Sequence, residues 1–206
     1  DLLFPEERWF GTRGDMIVSV TDYIEQEKVF VSFPLRDQFF MALRAFESQE
    51  AYHATTHEHT HSLKNIVDVW RSPSYIADSR LIEESVGVDA PSSQEAAAAL
   101  AQVTTPLQEN SNLIDRYSGY LTHTDFVPHN FRIHDRSLYI LDQVAIWFGN
   151  KYEGWARFAN YMEVHNPELA RLITEYISTK RGPEDALMFR IMRCYKAAVL
   201  LRYYAR

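Results

Sequence analysis

A single cysteine, Cys194, occurs in the whole chain, so no internal disulfide can form, and a reducing cytoplasm is the natural compartment. No apolar run approaches the roughly 18 residues that would read as a membrane span. No basic-then-apolar signal stretch opens the sequence, which begins with Asp1 and not Met. Positive charge is scarce: 21 Lys and Arg stand against 28 Asp and Glu, a formal net charge of −7. That balance argues against a nucleic-acid partner and is compatible with a cationic one. Glycine numbers only 7 in 206 residues, and no Gly-rich phosphate-cradling loop occurs in them. Repeats are absent, and low complexity is confined to a short alanine run.

What is present is an ordinary soluble composition, 46% hydrophobic and 24% charged, with aromatics high at 14%. A bulky aromatic core is expected, in one sizeable domain or one lobe of a larger one. Along the chain, residues 8–10 and 16–20 read as short strands around a two-glycine turn at 11–15. Phe39, Leu43 and Phe46 at i, i+4, i+7 predict a long helix over 35–63. Short helices follow at 66–70 and 75–84, then a loop at 85–93. Ser93 reads as an N-cap for a helix over 94–103. Pro106 reads as the first turn of another over 106–117. Trp155, Phe158, Ala159 and Met162 share one helix face. Asn166-Pro167 begins a further helix, Gly182-Pro183 breaks it, and a last helix runs over 184–204. Leu187, Ile191, Cys194, Ala198 and Leu201 line one side of that helix, which predicts a buried Cys194. The fold class is therefore mainly α within α+β: a helical lobe with one small inserted hairpin.

The organising stretch is 121–142, LTHTDFVPHNFRIHDRSLYILD. Residues 131–134 and 138–141 read as two strands around the turn residues Asp135, Arg136 and Ser137. Pairing His134 with Leu138 would set Asn130 opposite Asp142, with Cβ atoms about 5 Å apart. An amide oxygen and a carboxylate side by side suit a hard cation such as Mg²⁺. Asp125 sits in the loop leading into this hairpin.

His123-x-Asp125-x-x-x-x-Asn130, a hairpin and then Leu141-Asp142 together resemble the active site of the aminoglycoside phosphotransferase and choline kinase-like enzymes. These are small-molecule relatives of the protein kinases. The resemblance implies a protein-kinase-like fold and transfer of the ATP γ-phosphate to a hydroxyl. It assigns Asp125 as the base and Asn130 and Asp142 as Mg²⁺ ligands. It also makes residues 1–25 the remainder of a small-lobe hairpin and hinge, with Thr21, Asp22, Tyr23 and Ile24 along the adenine. Residues 26–206 become the helical lobe. Two positions depart from the family pattern: Thr124 stands where glycine is usual, and Gln143 where an aromatic often follows the metal-binding Asp. Most of the small lobe, with its phosphate-gripping Lys, has no counterpart in these residues. A segment or second chain supplying it is the partner the resemblance implies, and a small hydroxylated molecule, cationic or not, is the implied substrate.

Two other classes compete. A kinase-like lobe without its nucleotide-gripping half would be a non-catalytic binding module, a reading opposed by the intact Asp125, Asn130 and Asp142. A metal protein would use His53, His57 and His61, spaced by four on one helix face, with His59 beside them. No second element supplies further ligands to those histidines, so the reading expects no required metal there. Glu153, Glu163 and Glu168 could receive a cation but read more readily as solvated helix charges.

Overall fold

The computed structural model describes residues 2–26, 28–56, 69–89, 94–135 and 137–204. His57, His59 and His61, and the expected cap Ser93, lie outside them, as does the side chain of His53. Seven strands and seven α-helices are described: β1 (Leu2–Leu3), β2 (Glu7–Arg13), β3 (Met16–Thr21), α1 (Leu35–Thr56), α2 (Ser72–Asp89), α3 (Gln94–Glu109), α4 (Ser111–Arg116), β4 (Ser118–His123), β5 (Phe131–His134), β6 (Ser137–Ile140), β7 (Ile146–Asn150), α5 (Glu153–His165), α6 (Pro167–Tyr176) and α7 (Pro183–Tyr204). The strands form three small sheets, β1-β6-β5, β2-β3 and β4-β7, and the helices supply the bulk. This is an α+β, kinase-like fold with a helical lobe. Among the described residues no helix is long and apolar enough to cross a membrane.

The first hairpin turns more tightly than its two glycines suggest. Gly14 alone takes a left-handed conformation, with φ of 63°. Gly11 is a strand residue, where a Cβ would lie 2.7 Å from the Trp9 indole. The helices α5, α6 and α7 follow their sequence signals. Asn166 caps α6 by accepting from the Leu169 amide at 3.3 Å. Gly182, at φ of 103°, makes the break before α7 that an L-residue would resist.

Four expectations give way to tertiary packing. The chain at Val69-Trp70 is extended and bridges β7 instead of forming a helix, with the Trp70 amide donating to the Phe148 carbonyl at 2.6 Å. The expected loop from 85 is helical as far as Asp89, because Ile82 and Val86 carry the buried face of α2 onward. Helix α3 runs through Pro106 instead of starting there. Leu100 and Leu107, both buried, hold the two sides of that proline in one helix despite its missing N–H. Cys194 is exposed, not core. The buried stripe of α7 is centred on Met188, Ile191, Met192, Tyr195 and Ala198, and at 3.6 residues per turn Cys194 and Leu201 fall beyond its edge.

The core is aromatic, as the composition predicts. Phe30, Phe46, Phe126, Phe131, Trp155 and Phe158 are each no more than 1% exposed. Phe46 stacks on Trp155 at 4.0 Å, and Phe126 meets Phe131 edge-on at 4.7 Å. Two of these rings directly follow Asp125 and Asn130 in sequence. The candidate polar residues are thus set on the roof of the core by neighbours buried within it.

Candidate active site

Strand β4 delivers the chain to the loop 124–130, and its antiparallel partner β7 closes the other side. Thr124 ties the two together: its amide and its hydroxyl both donate to the Ala145 carbonyl, at 2.8 and 3.1 Å. Its backbone is not left-handed, so nothing at this position requires glycine. Pro128–Asn130 form a short 3-10 turn, closed by the Asn130 amide donating to the Val127 carbonyl at 2.9 Å.

Asp125 and Asn130 meet inside this loop. The Asn130 Nδ2 donates to the Asp125 carbonyl at 2.9 Å and to its Oδ2 at 3.1 Å. Both amide protons are thereby spent, which turns the amide oxygen away as a free acceptor. The other carboxylate oxygen of Asp125 takes the Arg157 Nε at 2.8 Å, from α5. A half-exposed carboxylate with both oxygens oriented is fixed in direction while still open to a ligand.

The hairpin register differs from the expected one by a residue. His134 pairs with Ser137 and Phe131 with Ile140, so Asn130 stands opposite Leu141, whose amide donates to the Asn130 carbonyl at 2.7 Å. Two positions separate His134 from Ser137, and the first of them, Asp135, adopts φ of 45°, the left-handed geometry of tight hairpin turns. Strand alternation would send Asp142 to the face opposite Leu141. It does not continue, because Asp142 is itself left-handed, at φ and ψ of 57°, and ends the strand. Among the described residues no hydrogen bond or ion pair engages its exposed carboxylate.

His123 fastens this Asp to the loop. Its Nε2 lies 3.0 Å from both the Leu141 and the Asp142 carbonyl oxygens, so that nitrogen carries the proton and donates. The Nδ1 is buried and unpartnered. Burial, outweighing the two carbonyls and the nearby Asp142 and Asp125, holds the imidazole below the ordinary histidine pKa. The ring is therefore a neutral strut.

Among the described residues, the Asn130 amide oxygen and the Asp142 carboxylate have no hydrogen bond, and oxygens of this kind suit a hard cation. Among the described residues no three His, Cys, Asp or Glu side chains gather as a metal cage. An ion at Asn130 and Asp142 would thus complete its shell with phosphate oxygens and water, as Mg²⁺ commonly does.

Beside Asp125 lies a cleft of about 520 Å³ whose lining includes Thr124, His129, Trp147, Arg157, Lys196 and Tyr203. A larger cavity of about 720 Å³, whose lining includes Lys28, Asp37, Phe40, Arg44 and His134, contains none of the candidate residues. Sequence reasoning missed Arg157 and Lys196. Each comes from an element remote in sequence, and neither carries a local motif. Glu153 is not a solvated charge: it is fully buried, paired with Lys196 at 3.1 Å, and accepts from Tyr75 at 2.7 Å and from the Trp147 indole at 3.2 Å.

The expected hinge residues continue from β3. The Asp22 amide is already given to the Glu6 carbonyl at 2.9 Å, and its carboxylate grips Arg8 at 2.7 and 2.8 Å. Tyr23, 89% exposed, and Ile24 follow with no hydrogen bond among the described residues, and Thr21 is paired with Glu7.

The helical lobe with its small sheets is consistent with a kinase-like fold. Among solved structures, the chain is similar to that of the aminoglycoside phosphotransferase APH(2'')-Ib, ADP-bound, at 13% identity and a TM-score of 0.51. The match covers 98% of this chain and 69% of the other, and the likeness is one of fold. No protein-family model and no curated protein matches the sequence.

Proposed function

We propose that this chain is the catalytic lobe of an ATP-dependent phosphotransferase acting on a hydroxyl of a small molecule. The observation that carries the reading is the division of labour around Asn130. Its amide protons orient Asp125, while its oxygen and the unpartnered Asp142 carboxylate remain for a cation. Asp125 accepts the proton of the acceptor hydroxyl as that oxygen bonds to the γ-phosphorus and the bond to the ADP oxygen breaks. Arg157 keeps the carboxylate aimed. Asn130 and Asp142 would hold Mg²⁺, which supplies charge neutralisation at the phosphates when bound. Residues 1–25 serve as small-lobe hairpin and hinge, with Thr21, Asp22, Tyr23 and Ile24 beside the adenine. Of these, the Tyr23 and Ile24 backbone groups have no hydrogen bond of their own among the described residues. The similar solved structure is that of an ADP-bound phosphotransferase, which agrees with this reading.

The test is ADP formation from Mg·ATP over a panel of aminoglycosides, amino alcohols and sugars, with the protein expressed from its full coding sequence. Acceptor-dependent ADP is expected, and Asp142→Ala should raise the Mg²⁺ concentration required as well as lower turnover. Nucleotide binding with no acceptor-dependent ADP from any compound would favour a non-catalytic kinase-like binding module.

A further inference from the structure

Among the described residues, strands β2 and β3 pair only with each other, so each keeps an open outer edge. Both faces of this hairpin are apolar and exposed. Phe10 and Ile17, 63% and 75% exposed, share one face, and Trp9, Met16 and Val20 share the other, also exposed. A two-stranded sheet is marginal in water, and antiparallel sheets ordinarily bury one face. An exposed edge of this kind is a template for a further strand.

The turn fixes which backbone groups that edge offers. Arg13 and Met16 flank the two residues Gly14 and Asp15, and Gly14 has the positive φ that a type II′ turn needs at its first position. The flanking pair exchanges hydrogen bonds across the hairpin. Antiparallel alternation then turns the amides and carbonyls of Thr12 and Phe10 to the open edge of β2.

Strand β2, ERWFGTR, is complementary to itself when run antiparallel. A twofold axis at Phe10 sets Glu7 opposite the second copy's Arg13. It sets Trp9 opposite the second copy's Gly11, which has no side chain to obstruct the indole. Phe10 meets its own counterpart at the axis, with outward amides and carbonyls facing each other. The charges this pairing needs are available. Glu7 accepts the Ser19 hydroxyl at 3.0 Å, and neither Glu7 nor Arg13 has an ion pair among the described residues. Arg8, by contrast, is already bonded to Asp22 and Glu6. A bulge separates Glu7 from Trp9 in the ladder, and the long Glu and Arg side chains can span the bend it makes.

We propose that two copies of this chain join β2 to β2 in the antiparallel register centred on Phe10, making one four-stranded sheet from two hairpins. The contact is isologous, so each Glu7–Arg13 ion pair occurs twice. It uses β2 and leaves the outer edge of β3 to the small-lobe segment that the resemblance implies. It does not depend on the phosphotransferase reading.

The test is sedimentation velocity on the protein expressed from its full coding sequence, loaded from about 1 to about 100 μM, a range that brackets micromolar affinity. A dimer that dissociates on dilution is expected. Arg13→Glu places two carboxylates face to face at both equivalent positions and should raise the dissociation constant about tenfold or more, and Glu7→Arg should do the same with two cations. Glu7→Arg combined with Arg13→Glu restores opposite charges and should return the constant to within about threefold of wild type. Both positions are exposed, so the melting temperature should stay nearly unchanged in all three variants. A monomer throughout the range, a dimer indifferent to either single substitution, or a double variant as weak as the single ones would each overturn the proposal. Phosphoryl transfer is not read in this experiment, so its outcome stands apart from the transfer assay.

Discussion

His123 shows how one side chain sets the site. Its single donated proton reaches two carbonyls flanking the turn at Asp142, so its loss removes one of the ties between that turn and the loop carrying Asp125. Replacing His123 with Ala should cost about 1–3 kcal/mol, from the buried ring removed and the Leu141 carbonyl deprived of this donor, measured by urea unfolding near neutral pH. The pH dependence follows from burial. The folded imidazole titrates below its ordinary value, so the unfolded chain binds this proton first as pH falls. Stability from this group is full above the unfolded value of roughly 6.5 and is lost on descending through the window beneath it. Wild-type protein should lose more stability between pH 7.5 and 5.5 than His123→Gln does, whose side chain has no such proton to gain. Equal losses in the two would contradict the neutral-strut assignment. At this scale the sequence was informative where a motif concentrates the chemistry. His123, Asp125 and Asn130 lie within eight residues, so their common loop was legible, whereas the bond from Asn130 to Asp125 was not. Arg157 and Lys196 were not, since helices α5 and α7 bring them in from 32 and 71 residues beyond Asp125.

Among the elements, β7 carries a consequence of size. At Gly149 a Cβ would lie 2.8 Å from Glu153 Oε2, Trp147 Nε1 and Tyr75 OH together. Glycine there lets three hydrogen-bonded groups close over the strand. Gly149→Ala should destabilise by about 1–3 kcal/mol through overpacking and shift the Trp147 fluorescence, since the Glu153 contact must open. The Glu153–Lys196 pair joins α5 to α7 with both partners nearly excluded from water. Lys196→Met should cost about 3–5 kcal/mol by stranding a buried carboxylate, and Glu153→Gln added to it should restore much of the loss. A double variant as unstable as the sum of the single ones would show that the pair is not coupled. Element types were readable from periodicity in the C-terminal helices, where apolar spacing and Gly/Pro punctuation agree. The hairpin register was not. It depends on whether Asp135 enters the left-handed region, which shifts the pairing by one residue and leaves the face of Asp142 to its own backbone turn. Strands β4 and β7 escaped notice because each is short and defined by its partner.

For the whole molecule, the architecture subordinates polar residues to aromatic ones. Phe126 and Phe131 anchor the loop in the core, and Asp125 and Asn130 ride on them at the surface. This separates stability from chemistry: the carboxylate can be removed without opening a cavity. The kinase-like fold was legible because the 123–130 loop and the hairpin after it are contiguous in sequence. Much of the cleft beside Asp125 was hidden because it is assembled across the helical lobe. The most direct measurement is transfer of label from γ-labelled Mg·ATP to an accepted alcohol, comparing wild type with Asp125→Ala, both expressed from the full coding sequence. Loss of the base should cut transfer by about 10²-fold or more with the melting temperature nearly unchanged. Undiminished transfer by the Asp125→Ala protein would contradict the assignment of this loop as the catalytic centre.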